Sequence, residues 1–224
     1  MTARTAAAGH RRTGPVPRTS ALLVIDMQQA LVAIAHRPAE TVAVIAGLRR
    51  RAAAAGAPVV TVQHRGGGLA EGSHGWRIVP ELAPGAGEPV VHKTSADGFL
   101  GTGLDRTLKA AGVTEVVVTG FATEICVDTT ARQALSHGYD VVLVADGHTT
   151  SVRPDAGEYA APERSVAHHN EIFRNLDFPG RSIRVLPASA VDFAPADLPA
   201  ADPFADADAA EAGAPEAEAA PESR

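Results

Sequence analysis

The sequence predicts an α/β domain in three layers, a parallel sheet with helices on both faces. Two observations carry that expectation. Six short runs rich in Val, Ile and Leu recur along the 224 residues, and each is near-continuously apolar rather than alternating, which is how strands covered on both faces read. The stretches between them are long enough for crossovers, and strand–helix–strand repeats with right-handed crossovers build such a domain.

The runs fall at residues 21–26, 58–63, 89–92, 115–119, 140–145 and 182–186. Between the first two, residues 38–55 predict a helix: Pro38 suits the first turn, Val42, Ile45 and Leu48 share a face, and Gly56 is placed to end it. Leu104, Leu108 and Ala111 outline a shorter helix closed by Gly112. Residues 123–136 form the helix after the fourth strand, with Thr123 as its cap and Gly138 as its stop. Residues 162–176 make another after the fifth. The connection 65–88 differs: it holds seven glycines, Pro80, Pro84 and the one tryptophan, Trp76. Long irregular connections in compact domains are functional or disordered, and a tryptophan at the centre favours a pocket wall.

The two ends differ from the rest. Residues 1–19 carry four arginines and no acid, whereas residues 191–224 carry nine acids and one arginine among Ala and Pro. Neither composition supports a core, so a basic arm (1–19) and an acidic tail (191–224), both disordered, are expected to flank a single domain at 20–190. Of the formal net charge of −6, about −2 remains on that domain. No basic footprint for nucleic acid is present. No apolar run approaches the ~18 residues of a membrane span, and the Ala6-Ala7-Ala8 patch is too short for a signal sequence. A soluble, cytoplasmic protein is expected. A single cysteine excludes an internal disulfide framework and any multi-cysteine metal cluster in one chain.

That cysteine lies in Gly120-Phe121-Ala122-Thr123-Glu124-Ile125-Cys126-Val127, between the fourth strand and its helix. Free N–H groups and the helix dipole at a helix start favour thiolate over thiol, so a lowered pKa is expected. Packing of a small apolar side chain is the other reading. Ligands of doubly wound sheets bind beyond the carboxyl ends of the strands. Those ends carry Asp26, Gln63-His64, His92-Lys93, the cysteine turn and Asp146-Gly147-His148. Asp26 follows four apolar residues and needs a partner, which Lys93 can supply, as a structural ion pair or as part of a site. With Cys126 the pair suits acyl transfer: a thiolate nucleophile, a carboxylate moving protons, an ammonium fixing charge, and backbone N–H groups receiving an oxyanion. His64, His92 and His148 also lie at strand ends, so a Cys–His arrangement stays open.

These residues resemble the isochorismatase-like cysteine hydrolase superfamily, which includes nicotinamidases, N-carbamoylsarcosine amidase and ureidoacrylate amidases. The resemblance spans residues 20–187 and is carried by Leu22-Leu23-Val24-Ile25-Asp26-Met27-Gln28, by Lys93 with Phe99, and by the Gly120 to Val127 turn with Thr130-Ala131-Arg132. It implies a Rossmann-like sheet of order 3-2-1-4-5-6 and a catalytic triad of Asp26, Lys93 and Cys126. It also implies a cis peptide at Phe121–Ala122, an oxyanion hole from the N–H groups of Ala122 and Cys126, and assembly into dimers or tetramers. The substrate pocket is expected to draw on Gln63, His64, Trp76, Phe99 and Phe121.

Departures bear on substrate. Val62-Gln63-His64 lacks the acid of the nicotinamidase Asp-x-His metal motif, leaving His64 and His74, so no metal and no cofactor are expected. Asp97-Gly98-Phe99 stands where relatives often have Ser-Ala-Phe, either reshaping the pocket mouth or adding a solvated acid. The function expected is hydrolysis of a small amide, carbamoyl or ureido compound through a thioester. Vinyl-ether hydrolysis without the cysteine, and an idle binding or scaffold protein, are the alternatives. Gly66-Gly67-Gly68 does not form a dinucleotide fingerprint, and His168-His169-Asn170 is assigned a surface or interface role.

Overall fold

The structure, a computed structural model, describes residues 16–153 and 157–198. Strand β1 (Val16–Arg18) leads into β2 (Ser20–Ile25), a single helical turn α1 (Gln29–Val32) and the long helix α2 (Pro38–Ala54). Next come β3 (Val59–His64), β4 (Val90–Lys93), α3 (Leu104–Ala110) and β5 (Glu115–Phe121). A π-helical turn (Thr123–Val127), α4 (Asp128–Ser136), β6 (Asp140–Thr149), α5 (Pro162–Arg174), β7 (Ile183–Leu186) and β8 (Ala196–Leu198) complete the order.

Strands β2 to β7 form one parallel sheet in the order β4-β3-β2-β5-β6-β7. Counting those six alone, this is the expected 3-2-1-4-5-6. Leu22 and Val24 pack with Ile45 and Leu48 of α2, while Leu23 and Ile25 pack with Leu104, Leu108, Leu135 and Phe173 of the opposite helical layer. One strand thus feeds two cores, the physical reason its sequence shows no alternation. On α2 the buried residues Thr41, Ile45, Leu48 and Ala52 recur every three or four positions, the stripe that a helix lays on a sheet. No helix among the described residues is long and apolar enough to cross a membrane.

Two expectations change. The fifth strand of the sheet, β6, does not stop near residue 145. Val118 pairs with Leu143 but Gly120 with His148, so the extra residues bulge around Asp146 and Gly147 before β6 continues to Thr149. A bulge re-aims the side chains beyond it, and His148 is drawn into the interior at 3% exposure. The domain limits at 20 and 190 are also too narrow. Strand β1 pairs antiparallel with β8, and Val191 and Phe193 are buried in the α2-side core. Arg18, part of the expected basic arm, is buried too; it donates to Ala194 O at 2.8 Å and faces Glu115 and Asp192. A few apolar and paired groups hold segments whose average composition favours disorder. Residues 1–15 and 199–224, the remainder of both expected tails, lie outside the described residues.

Candidate active site

Asp26 follows β2 with a left-handed backbone, φ 51°, a conformation that aspartate tolerates better than most side chains. Its N–H donates to Val62 O and its carbonyl accepts from Gln28 N–H, both at 2.8 Å. Lys93 closes β4, two strands away, where its register partner is His64. Its side chain reaches past β3, placing Nζ 2.7 Å from Asp26 Oδ2, with both side chains at 1% exposure or less. Nζ also lies 2.9 Å from Ser95 O, 3.1 Å from Cys126 Sγ and 3.3 Å from His64 Nδ1. Both Asp26 carboxylate oxygens are buried without an aligned hydrogen-bond partner among the described residues, so Oδ2 meets Lys93 as a charge pair. Two charges this deep are costly to desolvate and contribute little net stability.

Cys126 sits in the π-helical turn, before α4 begins at Asp128. Ala122 O accepts from the N–H groups of Ile125 at 3.0 Å and Val127 at 3.1 Å, bypassing that of Cys126. The Phe121–Ala122 peptide is cis, and the Ala122 N–H donates to no acceptor among the described residues. Thr123 does not cap a helix; its hydroxyl meets His148 Nδ1 at 2.8 Å. The expected thiolate is corrected as well. Burial pushes the Cys126 thiol up to about 11 and the Asp26 charge adds to this, while Lys93 opposes both. Burial likewise raises Asp26 against the pull of Lys93. The resting sulfur is a thiol, because desolvation outweighs the local field of a turn.

Side chains that the sequence did not single out for this role hold the turn. Asn170 Nδ2 donates to Ala145 O at 3.1 Å, leaving its Oδ1 to accept from His148 Nε2 at 3.0 Å. His148 Nδ1 is then the acceptor for the Thr123 hydroxyl. Asn170 is therefore buried against the site, not on a surface or interface. Glu124 accepts from Thr150 at 2.7 Å, Arg153 at 3.0 Å and Ser165 at 3.1 Å. Burial works to raise its pKa, but these donors outweigh it and hold the carboxyl below the usual range.

Burial drops the His148 imidazole from 6.5 to about 4. Between those values the unfolded chain binds more protons than the folded one, so stability falls as pH drops through the window. The loss levels off at about 3 kcal/mol. Thermal midpoints should fall more steeply from pH 6.5 to 4 in the wild type than in His148→Gln; parallel profiles would remove the assignment.

The remaining expected pocket residues divide. His64 lies beside Lys93. Trp76 is half-buried and stacks on His92 with ring centroids 5.7 Å apart. Gln63 is a strut, its Nε2 donating to Trp76 O at 2.8 Å. Gln28 does more: it donates to Trp76 O at 2.8 Å and His64 O at 2.9 Å, and accepts from His64 N–H at 3.0 Å. Phe99 is corrected from pocket to core, since it is 5% exposed and stacks on His137 at 4.6 Å and Tyr139 at 6.0 Å. Phe121 also packs its ring into the α2-side core. Asp97 accepts from Phe99 N–H at 2.7 Å, closing a turn beside Gly98. A Cβ on Gly98 would come within 2.9 Å of Thr130 Cγ2, so the loop sits too close to α4 for alanine. Among the described residues no three His, Cys, Asp or Glu side chains gather as a metal site. A cavity of about 410 Å³ lies beyond β6, lined by His36, Glu40, Asp146, His148 and Glu163, and includes none of Asp26, Lys93 or Cys126.

Residues 20–171 match the isochorismatase domain family. The chain belongs to that family. A streptothricin hydrolase of Streptomyces noursei is 38% identical over 210 residues, covering 91% of this family member and 79% of the relative. A second streptothricin hydrolase of that organism is 46% identical over 142 residues, 61% of this chain and only 51% of its own length. The ureidoacrylate amidohydrolase of Methylobacterium radiotolerans is 40% identical over 93 residues, covering 42% of this chain and 36% of its own. Among solved structures, N-carbamoylsarcosine amidase from Thermoplasma acidophilum superimposes with a TM-score of 0.61 at 27% identity, over 77% of this chain and 98% of that one. These isochorismatase-family relatives are named as hydrolases or amidases.

Proposed function

We propose that this isochorismatase-family hydrolase cleaves a small amide, carbamoyl or ureido compound through a thioester on Cys126. The observation that carries the reading is the Lys93 ammonium seated between Asp26 Oδ2 at 2.7 Å and Cys126 Sγ at 3.1 Å. The names of the relatives, which specify a ureidoacrylate and an N-carbamoyl compound, support the substrate class.

Asp26 takes the thiol proton as sulfur attacks the carbonyl carbon. Lys93 holds the carboxylate and the sulfur and stabilises whichever is negative. The oxyanion forms against the N–H groups of Ala122 and Cys126. When the tetrahedral adduct collapses, the C–N bond breaks and the proton on Asp26 passes to the leaving nitrogen, giving ammonia or an amine and a thioester. Water then attacks that thioester while Asp26 takes its proton. The C–S bond breaks and the proton returns to sulfur, releasing the acid. A carboxylate serves as acid and base because burial has moved it towards the pH at which it must exchange protons.

An ammonia-release screen over nicotinamide, ureidoacrylate, carbamoyl amino acids and simple amides identifies the substrate. Acid-quenched turnover on the best of these is expected to leave an acyl mass on the peptide carrying Cys126. Turnover that leaves no adduct and survives complete alkylation of Cys126 would sink the proposal.

A further inference from the structure

An ammonium carries three N–H bonds, and Lys93 Nζ has three aligned acceptors for them: Ser95 O at 2.9 Å, Cys126 Sγ at 3.1 Å and His64 Nδ1 at 3.3 Å. Asp26 Oδ2 is nearer, at 2.7 Å, but without the alignment of a hydrogen bond. Left to itself an ammonium would choose otherwise, since a carboxylate is the strongest acceptor of the four. We infer that His64 is a positioning residue: by accepting at Nδ1 it completes with Ser95 O a tripod that aims the remaining N–H of Lys93 at Cys126 Sγ and leaves the Asp26 carboxylate without a donor. The inference rests on the reading of Cys126 as nucleophile.

The tripod stands on fixed feet. Gln28, fully buried, donates to the His64 carbonyl at 2.9 Å and accepts from its N–H at 3.0 Å. The His64 ring is neutral at ordinary pH: burial lowers its pKa and the Lys93 charge lowers it further, while Asp26 opposes them. A neutral ring that accepts at Nδ1 carries its proton on Nε2. The other foot is a main-chain carbonyl two residues beyond Lys93, in a turn where the Ser95 hydroxyl donates to Asp97 O at 3.1 Å. An ammonium rotates about a single bond, so two fixed acceptors settle where its third N–H points.

That direction serves both halves of the proton exchange. The N–H held on sulfur becomes a charge-assisted hydrogen bond as the thiolate forms. Asp26 has no hydrogen bond to give up before it takes the thiol proton. Without the imidazole, one buried N–H would lack a partner, which is costly. The nearest remedy is a small swing of Nζ onto Asp26 Oδ2, which draws the donor off sulfur and occupies the base. The thiol would then hold its proton more tightly than it does already.

The test uses the full chain, with ultraviolet thiolate titration and iodoacetamide rates on the wild type, His64→Leu, His64→Asn, Lys93→Met and the double variant Lys93→Met/His64→Leu, and Cys126→Ser as a blank. His64→Leu is expected to raise the thiol pKa and to slow alkylation about tenfold at any pH below it. Asparagine puts an amide oxygen where Nδ1 stood, so His64→Asn should alkylate within about threefold of the wild type. In the Lys93→Met background His64→Leu should change the rate by less than about twofold, because the effect travels through the ammonium, whereas a general loosening of the site would act with or without Lys93. A folded His64→Leu that titrates like the wild type, a His64→Asn slowed about tenfold, or an undiminished effect in the Lys93→Met background would each overturn the inference. Failure of the nucleophile reading looks different: Cys126→Ser would still release ammonia in the substrate screen, whatever the thiol titrations show.

Discussion

Cys126→Ser is expected to lower kcat about a thousandfold or more while the protein stays folded. The size follows from the protonation chemistry. Asp26 already works uphill against a thiol pushed up to about 11, and an alcohol holds its proton more tightly still. The carboxylate cannot generate an alkoxide at a useful population, and a hydroxyl oxygen is the poorer nucleophile and leaving group. Little stability should be lost, since Cys126 is only half-buried and packs at the margin of the core. A thermal midpoint near that of the wild type, measured beside the rate, separates a chemical defect from an unfolded one. The vinyl-ether alternative makes the opposite forecast, since sulfur forms no bond there and the serine variant would keep its rate. Serine activity within a few fold of the wild type would exclude thioester chemistry.

The three side chains in that argument could be picked out of the sequence for a common reason. Each closes or follows an apolar run, and in a parallel sheet every such run ends on the same side. Residues 22–25 and 116–118 are buried on both faces, so the strand ends were marked wherever polarity returned. The rest of the site depends on contacts that no local pattern encodes. His148 meets Asn170 across 22 residues of chain, through a bulge in β6 whose register is fixed by β5. Glu124 gathers Thr150, Arg153 and Ser165 from two other segments. Phe99 lies six residues past Lys93, and an apolar ring there fits pocket or core equally well until its stacking against His137 and Tyr139 fixes its direction. The sign of the cysteine shift is not legible in the sequence for a related reason. The turn is local and legible, whereas the desolvation that outweighs it belongs to the whole fold.

Gly120→Ala is expected to cost more than about 4 kcal/mol and to abolish activity in whatever folded protein remains. A Cβ built on Gly120 would lie 2.0 Å from Ile25 O and 2.7 Å from Ile25 N, and the backbone there has φ 123°. These are main-chain atoms of the neighbouring strand, in register with Gly120, so no side-chain rotation can relieve the clash. β2 and β5 would have to separate at the end of the sheet where the site is built. The next residue on β2 is Asp26, and the residues after Gly120 lead into the turn that carries Cys126. Both members of the proposed proton exchange would therefore move apart, which is why rate and stability should fail together. Gly47, in the middle of α2, supplies the contrast. Its added Cβ would meet nothing closer than an Arg50 side-chain nitrogen at 3.9 Å, and alanine in a helix interior gains about 1 kcal/mol over glycine. Denaturant midpoints should then move in opposite directions for the two alanine variants. A Gly120→Ala protein with a wild-type midpoint would mean that the strands can part at little cost, and that the close approach of β2 and β5 does not hold Asp26 and Cys126 in place.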